Sequence, residues 1–361
     1  MISNRQLIFG IASFIAGSSL FTSFVTQIAQ HNAWVIVLCA GALSLLVAFL
    51  YGALIARFPG NGLVSIHNKV YGKFLGYFIN ILYIGFFIIV AIAMLRNVSS
   101  FFLVHIMPET PLPIIMILML LPCAFAVFTG IQNMLRCAFL FFMIAITITS
   151  TNFTLLISEM KLSNFLPLLN MGWQNYLEGT FSMASIPFCE IIVFLPFFHL
   201  TEKNTGTRRA LWMGLLLGIA IMFLTIFQEI AVLGVSVAYL STPAYESVRL
   251  INVMNVFTRL EILHAFLLSI LHIFKLSIVI YSILQCIQDV FPIRKKASPP
   301  LLLSLGAVLL LSSLNAFKSG ILLPAWRRNV GMFIFGFFEI VLPIITLCLS
   351  LIRRKKQTES E

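Results

Sequence analysis

The stretch Leu7–Ile28, LIFGIASFIAGSSLFTSFVTQI, decides the fold of this chain. It carries no charged residue, and it is long enough for a helix to cross the hydrocarbon core of a bilayer, which takes about 20 residues. Hydrocarbon offers no hydrogen bonds, so a crossing segment must satisfy its own backbone in a helix or in a closed barrel. Barrel strands alternate over segments of about ten residues, whereas this run is continuous. We therefore predict a transmembrane helix here rather than a cleaved signal peptide.

The whole chain shares this apolar character. Of its 361 residues 60% are hydrophobic and 10% charged, and the mean hydropathy is +1.04, whereas soluble domains carry about 25% charged residues. We predict an all-α integral membrane protein that is one transmembrane domain, residues 1–361, with ten helices. The predicted spans are Leu7–Ile28, Trp34–Ala56, Tyr77–Val104, Leu112–Thr129, Leu135–Ile157, Leu177–His199, Leu211–Val237, Leu260–Ile287, Pro300–Ala316 and Val330–Ile352.

Basic residues are distributed unequally across these spans. In a ten-span arrangement fifteen of the 23 Lys and Arg residues fall on one side, including Arg5, Arg57 and the run Arg353–Lys356. The positive-inside rule then places both termini, and the basic-then-acidic tail 353–361, in the cytoplasm. This topology explains the net charge of +11, so we predict no binding to nucleic acid.

Motifs for catalysis and metal binding are missing from the sequence. The six cysteines show no CxxC spacing, and no phosphate-binding loop, HExxH or GxSxG motif occurs. His264 and His272 are eight residues apart on one helical face, which fits either a metal or proton role or plain packing. We predict no catalytic residue, no metal and no cofactor, and therefore no enzyme.

Two predicted spans are interrupted at corresponding places. The first contains Gly17, Ser18, Ser19 and Leu20 at its middle, and the sixth contains Ser185, Ile186, Pro187 and Phe188. Glycine weakens a helix and proline removes a backbone donor. A pair of broken spans in matching positions indicates a transporter fold of two inverted repeats with a binding site between the breaks. We predict five-helix repeats at 7–157 and 177–352, although small residues and proline also occur in membrane helices for packing alone.

The breaks suggest a ligand chemistry. Amides of Ser18, Ser19 and Leu20 at the start of a half-helix would suit a carboxylate, and carbonyls freed near Ser185–Phe188 would accept an amino group. Ser277 and Tyr281 are four residues apart in the eighth span, so they would either line the same pocket or serve as a back-bonded hydroxyl and a packing aromatic.

Some of the ionisable residues that fall inside the spans are candidates for a functional role. A charge at a helix centre costs about 2.5–3.5 kcal/mol on insertion scales, so Arg96, Glu190, Lys275 and Glu339 should face the bundle interior and be paired. Glu190 lies beside Pro187, which makes it a candidate for ligand binding, gating or protonation, with Arg96 as its expected partner. Lys275 would replace a coupling cation or neutralise an acid, and Glu339 would support packing.

Several short motifs together resemble a known family, the B subunits of the nutrient germinant receptors of endospore-forming bacteria, in the amino acid-polyamine-organocation superfamily. The motifs are Ile2-Ser3-Asn4-Arg5-Gln6, Pro59, Val70-Tyr71-Gly72-Lys73-Phe74-Leu75-Gly76, Met107-Pro108-Glu109-Thr110-Pro111, Gly130-Ile131-Gln132-Asn133-Met134-Leu135-Arg136, Asn164-Phe165-Leu166-Pro167-Leu168, Gly172 and Arg259-Leu260-Glu261. The resemblance implies a LeuT-like bundle with broken helices 1 and 6. It also implies a spore inner membrane receptor that binds an amino acid or nucleoside and works with A and C subunits.

Three functions remain open at this point. A germinant-receptor subunit would sense a nutrient by shifting between two states of the bundle, whereas a proton- or cation-coupled amino-acid transporter would use the same fold for transport. A passive ion channel is the third. A neighbouring gene for a soluble partner subunit would favour the receptor, uptake by the isolated chain would favour the transporter, and conductance without a ligand would favour the channel.

Overall fold

The structure is a computed structural model that describes residues 1–201, 206–250, 260–291, 298–316 and 326–358. Within these ranges the regular structure is helical, and Ile2 and Thr201 form an isolated β-bridge. Nine of the described segments are long and apolar enough to cross a membrane. These segments make the chain a multi-pass membrane protein, as its composition predicts.

The first predicted span is a broken helix. Helix α1 (Asn4–Ala16) has 13 residues and is followed by a 3₁₀ turn at Ser19–Phe21 and by helix α2 (Ser23–Ala29). At 1.5 Å per residue α1 is about 20 Å long, which is too short to cross alone. Helix α3 (Ala33–Arg57) follows α2 closely, so Ser23–Arg57 counts as one of the nine apolar segments. With the broken span counted separately from α3, the described chain has the ten predicted crossings.

The other crossings follow the predicted order, with two short helices between them that the span assignment did not include. The first half continues with α4 (Leu63–Tyr71), α5 (Lys73–His105), α6 (Leu112–Thr129) and α7 (Ile131–Leu155). The sixth span comprises α8 (Trp173–Met183), a π-helical turn Ala184–Phe188 and a 3₁₀ segment Cys189–Leu200. Then come α9 (Gly206–Leu233), α10 (Pro243–Arg249), α11 (Leu260–Val290), α12 (Ser298–Ala316), α13 (Met332–Gly336), a π-helical turn Phe337–Val341 and α14 (Leu342–Thr358).

The crossings differ in how deeply they lie in the bundle. In the most apolar part of the sixth span 94% of residues are buried, and in the eighth span 83% are. The corresponding shares for the fourth span (Leu112–Thr129) and the ninth (Pro299–Ala316) are 22% and 17%. The sixth and eighth spans therefore form the centre of the bundle, and the fourth and ninth present most of their surface to lipid. Polar groups on the two central spans can face each other away from hydrocarbon.

Contacts between segment ends bring the ends of several spans together in pairs. The amide of Ile2 donates to the carbonyl of Leu200 at 2.9 Å, and Arg57 donates to the carbonyl of Ser350 near the end of α14. The amino terminus thus lies beside the end of the sixth span, and the end of the second span lies beside the end of the tenth. Of the basic residues in the predicted charge pattern, Lys203, Arg259, Arg294, Lys295, Lys296 and Lys318 lie outside the described residues, as does the end of the tail, 359–361.

His67 connects the short helix α4 to α5 through a hydrogen bond and a ring contact. Its Nδ1 lies 2.7 Å from the side-chain oxygen of Asn80, and its ring stacks on Tyr83 with centroids 4.9 Å apart. The Asn80 amide nitrogen donates in turn to Asn68 at 3.2 Å. Because an amide oxygen only accepts, His67 carries its proton on Nδ1 in this contact.

Acid should loosen this contact. Burial lowers the pKa of His67 from 6.5 to about 4, against a smaller raising effect of the Asn80 hydrogen bond. A histidine whose pKa is lower in the folded state stabilises above its unfolded pKa, and that stability is lost as the pH falls from about 6.5 to about 4, by up to about 3 kcal/mol. We expect the protection factor of the α4 amides, the intrinsic exchange rate at each pH divided by the observed rate, to fall as the pH falls over this range. In the variant His67→Gln this acid dependence should vanish, and a wild-type protection factor that stays constant with pH would contradict the assignment.

Candidate functional site at the two helix breaks

The break in the first span is shaped by close packing against α11. A Cβ atom at Gly17 would lie 2.8 Å from the carbonyl oxygen of Leu271 and 3.3 Å from the Cβ of Lys275. Gly17 has ordinary right-handed backbone angles, φ −61° and ψ −12°, so its role is space rather than conformational freedom. Helix α1 ends at Ala16, where α11 passes close to the backbone, and the chain turns through Ser19–Phe21 before α2 begins at Ser23.

The break in the sixth span lies where the sequence predicts it. Ile186 has extended backbone angles, φ −128° and ψ 110°, within the π-helical turn Ala184–Phe188. Pro187 follows, and it has no amide to continue the helical hydrogen bonds. The hydroxyl of Ser185 is buried and has no hydrogen-bond partner among the described residues, and Phe188 is fully buried. A buried hydroxyl at a helix break is a polar group available to a ligand.

An ionic cluster of Ser18, Glu190 and Lys275 joins the two breaks. The ammonium group of Lys275 donates to the carboxylate of Glu190 and to the hydroxyl of Ser18. It also lies 4.6 Å from the ring centroid of Phe14. The side chains of Lys275 and Glu190 are 2% and 3% exposed. Buried charges carry a large desolvation penalty that pairing only partly offsets, so this pair is a costly feature at the centre of the bundle.

The sequence-based pairing of Arg96 with Glu190 is wrong, because Lys275 pairs with Glu190. Arg96 is buried on α5, and its Nη1 donates to the carbonyl of Ser313 on the peripheral helix α12 at 3.4 Å. The face of α5 that carries Arg96 is therefore turned toward the ninth span. Sequence periodicity shows which residues share a face but not which neighbour that face meets.

The predicted use of the Ser18 amide in the first break needs correction, whereas the use of the Ser19 and Leu20 amides stays a prediction. The amide of Ser18 donates to the carbonyl of Ile15 at 2.9 Å, and the hydroxyl of Ser18 contacts Lys275. The hydroxyl of Ser19 donates to the carbonyl of Ala16 at 2.8 Å. Leu20 lies in the 3₁₀ turn between them and α2. Side chains and backbone carbonyls, rather than the Ser18 amide, therefore define the polar surface of this break.

Ser277 and Tyr281 do not join the ionic cluster in the structure. The hydroxyl of Ser277 donates to the carbonyl of Ile273 on its own helix at 2.7 Å, and the thiol of Cys123 on α6 approaches the same carbonyl at 3.6 Å. Tyr281 packs edge to face against Phe197 with ring centroids 5.7 Å apart. Of the two alternatives for this pair, back-bonding and aromatic packing describe the contacts observed.

Glu229 is a buried acid at the first break that the sequence-based selection missed. Both of its carboxyl oxygens lie within hydrogen-bond distance of the hydroxyl of Thr22, at 2.8 Å and 2.9 Å, and the residue is fully buried on α9. Thr22 immediately precedes α2. Glu229 falls within the predicted span Leu211–Val237, so the rule that acids inside spans are functional candidates would have found it.

Glu339 lies inside the bundle, as predicted, but without an ion pair in the described part of the chain. Its side chain is fully buried, and neither carboxyl oxygen has a hydrogen-bond partner among the described residues. Backbone carbonyls of the surrounding π-helical turn accept hydrogen bonds from two tyrosines. The hydroxyl of Tyr51 donates to the carbonyl of Glu339 at 2.5 Å, and the hydroxyl of Tyr83 donates to the carbonyl of Phe338 at 2.8 Å. These hydroxyls are thus directed to the backbone and do not pair with the carboxyl.

The structure is closed at the opposite end of the breaks from Leu200. Arg328 donates to Glu178 through Nε and, at 3.1 Å, through Nη2. Beneath this pair lies a cavity of about 10 Å³, which is about the space that one water molecule needs. Its lining residues are Phe24, Ile28, Ser182, Ile186, Arg328 and Met332. A nutrient-sized molecule does not fit the cavity that these described residues form.

The fold places this chain in a class of membrane protein. It resembles the solved structure of Mhp1, a nucleobase-cation-symport-1 family transporter, in a closed conformation with bromovinylhydantoin bound. The TM-score is 0.61 at 12% sequence identity, and the match covers 94% of this chain and 79% of that chain. The chain therefore has the LeuT-like transporter fold with broken first and sixth helices, and this likeness defines the fold alone.

The assignment to a family rests on comparisons of the sequence. A model of the family described as Spore germination protein matches residues 1–320. Spore germination protein KB of Bacillus subtilis (strain 168) is 24% identical over 364 residues, 100% of this chain and 97% of the relative. Spore germination protein YndE of the same organism is 22% identical over 363 residues, 98% and 97% of the two chains. The chain belongs to the spore germination protein family, and family and fold together point to a membrane protein that is not an enzyme.

Proposed function

We propose that this chain is the membrane subunit of a spore germinant receptor and that it binds a small nutrient between the two helix breaks. The observation that carries the proposal is the buried pair of Lys275 and Glu190, which links the broken first span to the broken sixth through Ser18. A buried ion pair has no need to lie at two unwound helices for stability, since apolar residues would serve as well or better there.

The charges of this pair match an amino acid. A ligand carboxylate would replace Glu190 as the partner of Lys275 and would also meet the Ser18 hydroxyl, while a ligand ammonium group would replace Lys275 as the partner of Glu190. The buried hydroxyl of Ser185 would supply a further polar contact. A nucleoside would meet the same hydroxyls but would leave the charges paired with each other, so the pair favours an amino acid.

Binding at this place would be transmitted by the breaks. A ligand that separates Lys275 from Glu190 changes the contacts of both unwound segments, and the half-helices attached to them can then shift between two arrangements. The proposed receptor lies in the spore inner membrane with both termini on the core side, and A and C subunits read the shift.

Direct binding and uptake measurements test this function. Purified full-length chain in lipid nanodiscs is exposed to a panel of radiolabelled amino acids and nucleosides, and the same ligands are offered to proteoliposomes. Saturable binding of one amino acid without accumulation supports the sensor. A germination assay of a deletion strain with the same panel should identify the same ligand, and absence of binding with the partner subunits present would refute the proposal.

The second candidate is a proton- or cation-coupled amino-acid transporter, which the likeness of the fold to Mhp1 favours. Concentrative uptake of the labelled ligand by the isolated chain, driven by a proton or sodium gradient, would decide for this candidate.

The Arg328–Glu178 pair should influence ligand access more than stability. The two side chains are 51% and 25% exposed, and such pairs contribute less than about 1 kcal/mol. We expect Glu178→Gln to change the half-maximal nutrient concentration by at most about fivefold, with faster binding and release in stopped-flow measurements. The double variant Glu178→Arg with Arg328→Glu should restore wild-type rates. Arg249→Gln, which removes an exposed pair with Glu246 within the single helix α10, is the matched control, and equal effects of both single changes would contradict a gating role.

A further inference from the structure

His272 on α11 makes contacts at both ring nitrogens. It is 3% exposed; Nδ1 lies 3.2 Å from the carbonyl oxygen of Gly17, and Nε2 lies 3.1 Å from the carbonyl oxygen of Met94 on α5. A carbonyl oxygen can only accept a hydrogen bond, and a neutral imidazole has a single N–H. Both contacts are hydrogen bonds only when both nitrogens carry protons, that is, when the ring is an imidazolium.

The same helix provides a contrast eight residues earlier. Nδ1 of His264 lies 2.9 Å from the amide nitrogen of Asn152. An amide nitrogen only donates, so Nδ1 of His264 must accept and the ring must be neutral. Two buried histidines of α11 thus require opposite protonation states, and the difference lies in what each ring faces.

The surroundings of His272 suit a cation. Gly17 is the C-terminal cap of α1, where the helix dipole is negative and stabilises a positive charge. The ring of Phe21 packs edge to face against His272 at 5.2 Å. Titratable and charged side chains on the elements packed against α11 or against the first break include Lys275 on α11 itself, Glu190 on the 3₁₀ segment, Glu229 on α9, Arg96 and His105 on α5, and Tyr245, Glu246 and Arg249 on α10.

We propose that His272 is a proton-binding site and that its imidazolium form ties the broken first helix to α5. Loss of a proton leaves one N–H for two carbonyls, so one of the two contacts must be given up. Gly17 lies at the hinge of α1, whereas Met94 lies within the continuous helix α5. Proton uptake therefore holds the first break in the arrangement seen here, and proton release frees it. This coupling does not depend on the identity of the ligand or on the sensing role.

Nitrogen NMR of the ring tests the protonation state directly. Full-length chain labelled with ¹⁵N-histidine is placed in nanodiscs, and the pH is set near the ordinary imidazole pKa of about 6.5. We expect one histidine with two ring N–H protons that are protected from solvent exchange, and we expect it to disappear in His272→Gln but to remain in His264→Gln. Absence of any protected imidazolium in the wild-type spectrum would overturn the proposal, whether or not the variants fold.

Hydrogen exchange tests the mechanical consequence. Exchange is expressed as a protection factor, the intrinsic rate of an unstructured amide at the same pH divided by the observed rate. Raising the pH should lower the protection factor of the amides around Ser19–Phe21 by about tenfold or more, the scale of losing one charge-assisted hydrogen bond. His272→Gln should make this protection factor low and independent of pH, and His264→Gln should keep the wild-type pH dependence. If His264→Gln abolished the dependence equally, or if the wild-type protection factor did not respond to pH, His272 would not be the proton site.

Discussion

Replacing Gly17 with leucine should abolish the nutrient response, and replacing it with alanine should weaken the response, while both variants remain in the membrane. The added Cβ would lie 2.8 Å from the carbonyl oxygen of Leu271 and 3.1 Å from its carbonyl carbon. Both atoms belong to backbone and cannot rotate away, so α1 and α11 must separate. Such overpacking costs about 1–3 kcal/mol, which corresponds to a roughly 5- to 150-fold shift of an equilibrium. The leucine side chain would add bulk and helix propensity at the break, so Gly17→Leu should have the larger effect.

The measurement is germination as a function of nutrient concentration, with protein levels determined by immunoblot of spore membranes. We expect at least a tenfold rise in the half-maximal concentration for Gly17→Ala and no response for Gly17→Leu. Gly85→Ala is the matched control, because a Cβ atom added to Gly85 in α5 would meet no other atom within 4 Å, and it should behave as wild type. Spores of Gly17→Ala that respond with unchanged sensitivity would remove the first break from the site.

Replacing Glu190 with glutamine should also eliminate the response. The change leaves the ammonium group of Lys275 buried without its carboxylate, and breaking a buried pair in this way costs about 3–5 kcal/mol. In the proposed site it also removes the group that would bind the ligand ammonium. Glu339→Gln is the matched control, since glutamine has nearly the same shape and the Glu339 carboxyl has no hydrogen-bond partner among the described residues to lose. We expect germination to be nearly normal in that variant.

A double variant separates the ligand role of Glu190 from its structural role. Glu190→Gln combined with Lys275→Met removes both charges, so the fold should recover much of its stability. The protein level should therefore return while ligand binding stays absent. Recovery of binding together with the level would mean that the pair only supports the fold, and equal defects of Glu190→Gln and Glu339→Gln would mean that proximity to the break is irrelevant.

The elements that could be predicted from the sequence are those that depend on residues close to one another along the chain. The apolar runs predict the spans because each helix must satisfy its own backbone in lipid, and Gly17 and Pro187 predict the breaks through local backbone chemistry. The short helices α4 and α10 escaped the span assignment because they are too short to cross a membrane. The repeat boundaries 7–157 and 177–352 and the cytoplasmic position of the termini stay predictions.

By itself, then, the sequence determined that the chain spans a membrane with broken first and sixth helices, because solvation by lipid and local helix chemistry act within one segment. The tertiary structure decided that Lys275 rather than Arg96 meets Glu190, that Ser18 contributes its hydroxyl, and that His272 bridges Gly17 and Met94. These contacts join residues far apart in the chain. They depend on how each helix is rotated against its neighbours. That rotation is set by the packing of whole helix surfaces against one another, so the sequence of a single segment does not determine it.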